Sequence, residues 1–191
     1  IHENWLDIGS PSDLKKIYNS GPNSLVKTFN YVISGEGKRI RPILTLLTSK
    51  SLFGNYTKSY NAAIAVEILH NFTLVHDDIM DNDSLRHGKE TVHKKWDVST
   101  AILIGDAMLA KSINILSESN YNNNLLKSFN SALLAVCEGQ ALDKEFETKK
   151  NITEKDYFEM IKKKTSYLIA MPIEIGALAY NYPLKDAKKL F

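Results

Sequence analysis

Three aspartates in the run His76-Asp77-Asp78-Ile79-Met80-Asp81 carry the clearest chemical consequence in this 191-residue chain. Asp77 and Asp81 stand four apart, so on a helix they share one face. Like charges at that spacing repel, and here they follow an apolar stretch that includes Val66, Ile68, Leu69, Phe72, Leu74 and Val75. A divalent cation would neutralise them. Oxygen donors with no cysteine nearby favour a hard ion, with Mg2+ bridging to a phosphate the common case. Taken alone, the same pattern is equally a solvated acidic patch continuous with Asp83.

A second set of charges lies upstream. Gly37-Lys38-Arg39-Ile40-Arg41-Pro42 puts three cations at a loop-to-helix junction, where free backbone N–H groups already favour anions. His70 precedes Asp77 by seven residues, two turns up the same face, and Arg86 follows it by nine. A basic cluster at a helix start and a distant acidic helix suggest one multiply charged phosphate gripped from two sides. Three cations on a turn would otherwise read as a solvated surface.

At this point a resemblance becomes specific. Glu36-Gly37-Lys38-Arg39-Ile40-Arg41-Pro42, Glu67-Ile68-Leu69-His70, Leu74-Val75 leading into the aspartates, and Leu85-Arg86-His87-Gly88-Lys89 occur in that order. Gly105-Asp106, Gly139-Gln140 with Asp143, and Lys164-Thr165 follow. Together they resemble the trans-type polyprenyl diphosphate synthases over about residues 35 to 177, most like geranylgeranyl or farnesyl diphosphate synthases. The resemblance implies that Lys38, Arg41 and His70 hold isopentenyl diphosphate. Asp77 and Asp81 would chelate Mg2+ bridging to an allylic diphosphate, with Asp78 in support, and Arg86 and Lys164 would contact that diphosphate. Gln140 and Thr165 would lie near the allylic carbons and Asp143 near the water shell of the metal, while Gly105-Asp106 is structural.

The implied reaction breaks the allylic C–O bond to give a carbocation, which the alkene of isopentenyl diphosphate attacks before a proton is lost. Charge builds on the leaving diphosphate, so metal and cations are the catalysts such a reaction needs. No side-chain nucleophile is required, but the cation needs a dry pocket. Phe72 lies five residues before Asp77, about 7.5 Å deeper along a helix. In the family an aromatic there often floors the product tunnel, and with Thr73 beside it and no insertion in the acidic motif the resemblance implies a C20 product. The plain alternative is that Phe72 is core. His87 stands where the family usually has a second arginine, so the grip on isopentenyl diphosphate is expected to be weaker or pH-dependent.

Long helices must position these residues. Apolar periodicity and breakers predict helices over Pro22–Ser34, Pro42–Phe53, about Ser59–Ser84, Asp97–Glu118, Asn123–Lys149 and Thr153–Ala179. Pro172 is expected to kink the last of these, and Thr153 with Asp156 resembles a capping box. Gly88–Thr91 reads as a loop, and no segment alternates long enough to read as a strand. The expected class is all-α, one domain over residues 1–191 built as a single bundle with its chemistry on inward-facing side chains. The resemblance adds that the helices run antiparallel around a central cavity, the isoprenoid synthase fold.

Composition excludes more than it assigns. With 24 basic and 22 acidic residues the net charge of +2 is no nucleic-acid footprint. The single cysteine, Cys137, rules out an intramolecular disulfide and is expected to be a small apolar filler. No apolar run is expected to reach the length of a membrane span, and a cytoplasmic protein is the expectation. Leu184–Phe191 reads as a helix start that stops without a cap, and the family's second aspartate-rich motif, expected shortly after Phe191, is not in this sequence. On that ground the chain is expected to lack its C-terminal helices and, by itself, to be nearly inactive. A homodimeric enzyme is the leading expectation. A non-catalytic partner subunit is the alternative, although it would have no need of Asp77, Asp81, Lys38, Arg41 and Lys164. A terpene cyclase would not need Lys38 and Arg41.

Overall fold

Helix boundaries follow the caps and breakers of the chain, and a computed structural model describes residues 17–35 and 37–191. The helices are α1 (Asn23–Ile33), α2 (Ile40–Phe53), α3 (Tyr60–Met80), α4 (Val92–Lys95), α5 (Val98–Glu118), α6 (Asn123–Phe146), α7 (Glu154–Ile161), α8 (Tyr167–Leu178) and α9 (Leu184–Ala187). The chain is mostly helical, as expected. Asp97 caps α5 by accepting from the Thr100 N–H at 2.7 Å, and Asn122 caps α6 by accepting from Asn124 and Leu125. The capping box is present: the Asp156 N–H donates to Thr153 Oγ1 and the Thr153 N–H to Asp156 Oδ2.

Three expectations about the elements are corrected. First, α3 stops at Met80 rather than near Ser84. Asn82 takes a left-handed conformation (φ 55°), and the N–H groups of Asn82 and Asp83 close back onto the carbonyls of Ile79 and Asp78. That is a Schellman closure with asparagine in the place glycine usually takes. Second, the expected loop at Gly88–Thr91 belongs to a two-stranded hairpin, β1 (Leu85–Arg86) against β2 (Lys89–Glu90), with Leu85 opposite Glu90 and Arg86 opposite Lys89. His87 and Gly88 both have positive φ, 50° and 77°, as a two-residue type I′ turn demands. Third, the single helix expected over Thr153–Ala179 is interrupted by a π-helical turn at Lys162–Ser166 between α7 and α8, while Pro172 lies buried inside α8.

Packing divides the described residues into two units, those up to 43 with 61–119, and 44–60 with 120–191. In the first unit α3 is buried nearly all round through small residues such as Ala62, Ala63 and Ala65, which admit Phe29, Ile33, Ile104 and Met108 to a fully buried core. In the second unit Phe129, Leu125, Met171 and Ile175 form the core. Gly176 lets α8 lie against the backbone of Thr45, and Ser49 Oγ donates to the Gly176 carbonyl at 2.7 Å. Cys137 is exposed on α6, not the buried filler the sequence suggests. α5 is long and apolar enough to span a membrane on length and composition alone, where no run of that length is expected from the sequence, and Val98, Ile102, Leu103 and Ile113 are exposed along it.

Candidate active site

The first unit encloses a cavity of about 370 Å³, lined among others by Lys38, Arg39, Arg41, Glu67, His70, Asp78, Arg86, His87 and Lys89. The structure therefore gathers all four residues expected at isopentenyl diphosphate, Lys38, Arg41, His70 and His87, and adds Arg86. The three cations at the start of α2, Lys38 and Arg39 before it and Arg41 in its first turn, do not act alike. Lys38 is exposed, whereas Arg39 adopts a left-handed backbone (φ 49°) that turns its guanidinium inward. Arg39 pairs with Glu67 and donates to the carbonyls of Ile33 and Gly35 at 2.8 and 2.9 Å. Glu67 also accepts from Asn71 Nδ2 at 3.0 Å. The sequence reading missed this network. Its signal was a glutamate on the apolar α3, because a buried carboxylate needs a counter-ion.

Arg41 Nη1 lies 3.0 Å from His70 Nε2. Arginine can only donate, so Nε2 accepts and the ring hydrogen sits on Nδ1. Burial, and then the charges of Arg41, Arg39, Arg86 and His87, push the His70 pKa down to about 3. His70 is thus a neutral N–H donor, not a cation. Its Nδ1 is buried and has no hydrogen-bond partner among the described residues. Burial also lowers Arg41, opposed by the charge of Glu67.

The aspartates occupy the last turn of α3 and the residue after it, with no basic residue in that turn. The negative end of the helix dipole adds to their mutual repulsion. The hairpin answers part of this. Arg86 Nε donates to Asp78 Oδ1 at 2.8 Å, its Nη2 pairs with the same oxygen, and Nη2 lies 3.3 Å from Asp83 and 4.0 Å from Asp77. Burial raises the Asp78 pKa, with Arg86 opposing. For Arg86, burial would lower the pKa, but Asp78 and then Asp77 and Asp83 outweigh it and leave it raised. Among the described residues no three ligating side chains gather. The donor set of Asp77 and Asp81 still fits Mg2+, which keeps several waters and takes one or two carboxylates plus phosphate oxygens.

His76, beside the aspartates, packs where the sequence gave it no role. Its ring meets Phe72 edge-on with centroids 4.8 Å apart and fills the space that a side chain at Gly105 would need. Asp106 lies 4.0 Å from His76 Nε2. Gly105 is therefore a packing requirement of α5 against α3, in keeping with its expected structural role. Phe72 is 8% exposed.

In the second unit, Lys164 Nζ donates to Asp143 Oδ2 at 2.6 Å. Asp143 is thus the partner of Lys164 here, where the resemblance put it at a metal's water shell. Lys164 and Thr165 lie in the π turn, and Thr165 is exposed. A methyl group at Gly139 would collide with the backbone of Lys164, so Gly139 is what lets α6 approach the turn. Gln140, next to it, has a buried Nε2 without a partner among the described residues.

Fold and site define a helical protein with a cation-lined cavity beside an acidic helix end, and comparison with known proteins gives the family. The polyprenyl synthetase family model matches residues 22–191, and the chain belongs to that family. It is 44% identical over 161 residues to a geranylgeranyl diphosphate synthase of Methanosarcina mazei, covering 82% of this chain and 50% of that protein. With a geranylgeranyl diphosphate synthase of Saccharolobus solfataricus the identity is 40% over 183 residues, 93% of this chain and 55% of that one. A crystal structure of a geranylgeranyl pyrophosphate synthase is similar with a TM-score of 0.88 at 42% identity, covering 97% of this chain and 56% of that one. The chain spans about half the length of the curated relatives it matches.

Proposed function

We propose that the protein is a prenyltransferase that condenses isopentenyl diphosphate with an allylic diphosphate by ionisation, head-to-tail condensation and proton loss. The observation that carries this reading is the single cavity that gathers Lys38, Arg41, His70, Arg86 and His87. Lys38 and Arg41 neutralise the diphosphate of isopentenyl diphosphate. His70, neutral, offers its unpartnered Nδ1–H to a phosphate oxygen. Asp77 and Asp81 hold Mg2+, which when bound neutralises charge on the allylic diphosphate. Arg86 orients Asp78 and is a cation for the departing diphosphate. Lys164, Gln140 and Thr165 of the second unit are assigned to the allylic substrate by the family resemblance.

The product is C20, a reading supported by the names of the relatives and by buried Phe72 below Asp77. The protein works as a homodimer. The support is the exposed stripe Val98, Ile102 and Ile113 on α5, at spacings that share one helix face. The test is incubation with labelled isopentenyl diphosphate and dimethylallyl, geranyl or farnesyl diphosphate, with and without Mg2+, followed by product sizing. Mg2+-dependent C20 product is expected, and Phe72→Ala should lengthen it. Failure of the protein to bind isopentenyl diphosphate in calorimetry would overturn the reading.

A further inference from the structure

We infer that Arg39 is a positioning residue for anion binding in the cavity of the first unit, acting through Glu67 and not by touching the anion. The inference rests on the reading of this cavity as a diphosphate site. Arg39 sits between Lys38 and Arg41 and is chemically the equal of a phosphate ligand, yet its bonds run elsewhere. Two of its nitrogens are engaged by Glu67, Ile33 O and Gly35 O, and its side chain is 13% exposed. Three of its five N–H groups are spent on these acceptors, and turning the guanidinium toward an anion would draw it off a carboxylate whose side chain is 4% exposed.

Glu67 explains why a cation is held there. Its carboxylate forms part of the wall of a cavity that otherwise collects cations. One oxygen is shared by Arg39 and Asn71, and the other is buried without a partner among the described residues. Arg41 also feels the charge of Glu67, which opposes the effect of burial on its guanidinium. Remove Arg39, and Glu67 becomes an unneutralised charge inside an anion site. Arg41 is then the nearby guanidinium on which that charge acts, and it is drawn away from the ligand. Arg39 thus keeps the carboxylate silent and leaves Lys38 and Arg41 to the anion.

The test is a cycle of Arg39→Gln, Glu67→Gln and the double variant in the intact protein. Inorganic pyrophosphate and, separately, isopentenyl diphosphate are titrated by calorimetry without added metal, with thermal unfolding recorded for each protein. Arg39→Gln should weaken pyrophosphate binding about tenfold or more, because it strands a buried charge. Arg39→Gln/Glu67→Gln should bind within about threefold of wild type, since no charge is left to be stranded. A purely structural role for Arg39 would not be rescued by removing Glu67. A double variant as weak as Arg39→Gln, or weaker binding in Glu67→Gln than in wild type, would overturn the inference. If Arg39→Gln does not fold, those two remaining variants still decide the matter. Wild-type protein that binds pyrophosphate but not isopentenyl diphosphate sinks the proposed function and leaves the cycle to judge Arg39. Binding of neither anion overturns both.

Discussion

In the first unit Arg39 meets Glu67 with side chains 13% and 4% exposed, whereas in the second Lys164 meets Asp143 with 25% and 36% exposed. The two pairs look alike on paper, a cation and a carboxylate from separated parts of the chain. Their surroundings make them different devices. Breaking a buried pair by removing one partner costs about 3–5 kcal/mol, because the remaining charge has nowhere to go. An open pair contributes about 0–1 kcal/mol, and water can take either partner. Arg39 is therefore committed, while the half-open contact of Lys164 with Asp143 is one that water or another anion can replace at little cost. Arg86 stands between these cases, 31% exposed itself but closed onto an Asp78 side chain that is 7% exposed.

The sharpest way to break this comparison is to remove the two carboxylates assigned to the metal. Asp77→Ala with Asp81→Ala should lower turnover at least about a thousandfold, since the metal's neutralising charge is lost with its ligands. An unreactive allylic diphosphate analogue, titrated with and without Mg2+, should lose its metal dependence in the double variant. Equal affinity with and without Mg2+ in wild type would sink the metal clamp itself.

Lys164 and Arg39 test the comparison directly. Lys164→Gln should lower turnover by about a hundredfold as a lost electrostatic stabiliser, with unfolding changed by no more than about 1 kcal/mol. Arg39→Gln should instead cost about 3–5 kcal/mol of stability. Chemical denaturation of both variants measures this, and equal losses would mean that burial does not separate the two pairs.

Much of this was legible in the chain, and the gaps have physical causes. The helices, the Thr153–Asp156 box and the grouping of Lys38, Arg41 and His70 followed from periodicity, capping chemistry and ordered motifs. The inward turn of Arg39 was not legible, because it depends on a left-handed backbone at a non-glycine residue and on a partner 28 positions away. The hairpin was missed for a related reason: its turn places His87, an uncommon left-handed residue, where Asn or Gly is the usual signal. Asn82, a recognisable C-terminal signal, lies in the acidic run just past the apolar pattern of α3, where Asp81 and Asp83 on either side mask it. The π turn at Lys162–Ser166 is not legible because it has no composition of its own.

His70 offers a smaller test, set by its displaced titration. Its folded pKa is pushed from about 6.5 down to about 3 by burial and by the neighbouring cations. As pH falls from about 6.5 toward 3, the unfolded chain takes up a proton that the folded His70 refuses. Stability therefore falls across that window and is independent of His70 above it. Between pH 6.5 and 4.5 the loss should be roughly 2 kcal/mol. His70→Asn should flatten that part of the urea-midpoint curve, and an unchanged slope would place the acid sensitivity elsewhere.

The smallest expected effect concerns His87, at the exposed turn of the hairpin and on the wall of the same cavity. An imidazole grips a diphosphate as a cation only when protonated, whereas a guanidinium is always charged and can bind bidentately. A bound diphosphate favours the protonated ring, so affinity for isopentenyl diphosphate should be highest at acidic pH and decline as pH rises. His87→Arg should remove the decline and tighten binding at pH 8 by about three- to tenfold, the gain expected of one exposed charge–phosphate contact. The measurement is KM for isopentenyl diphosphate from about pH 6 to 8.5, with the allylic substrate saturating, in both proteins. His70 cannot produce the same curve, because it is neutral throughout that range. Parallel curves would show that His87 does not reach the diphosphate. The cavity would then depend on Lys38, Arg41, Arg86 and Lys89 for its charge, and the comparison with the second unit would rest on those residues.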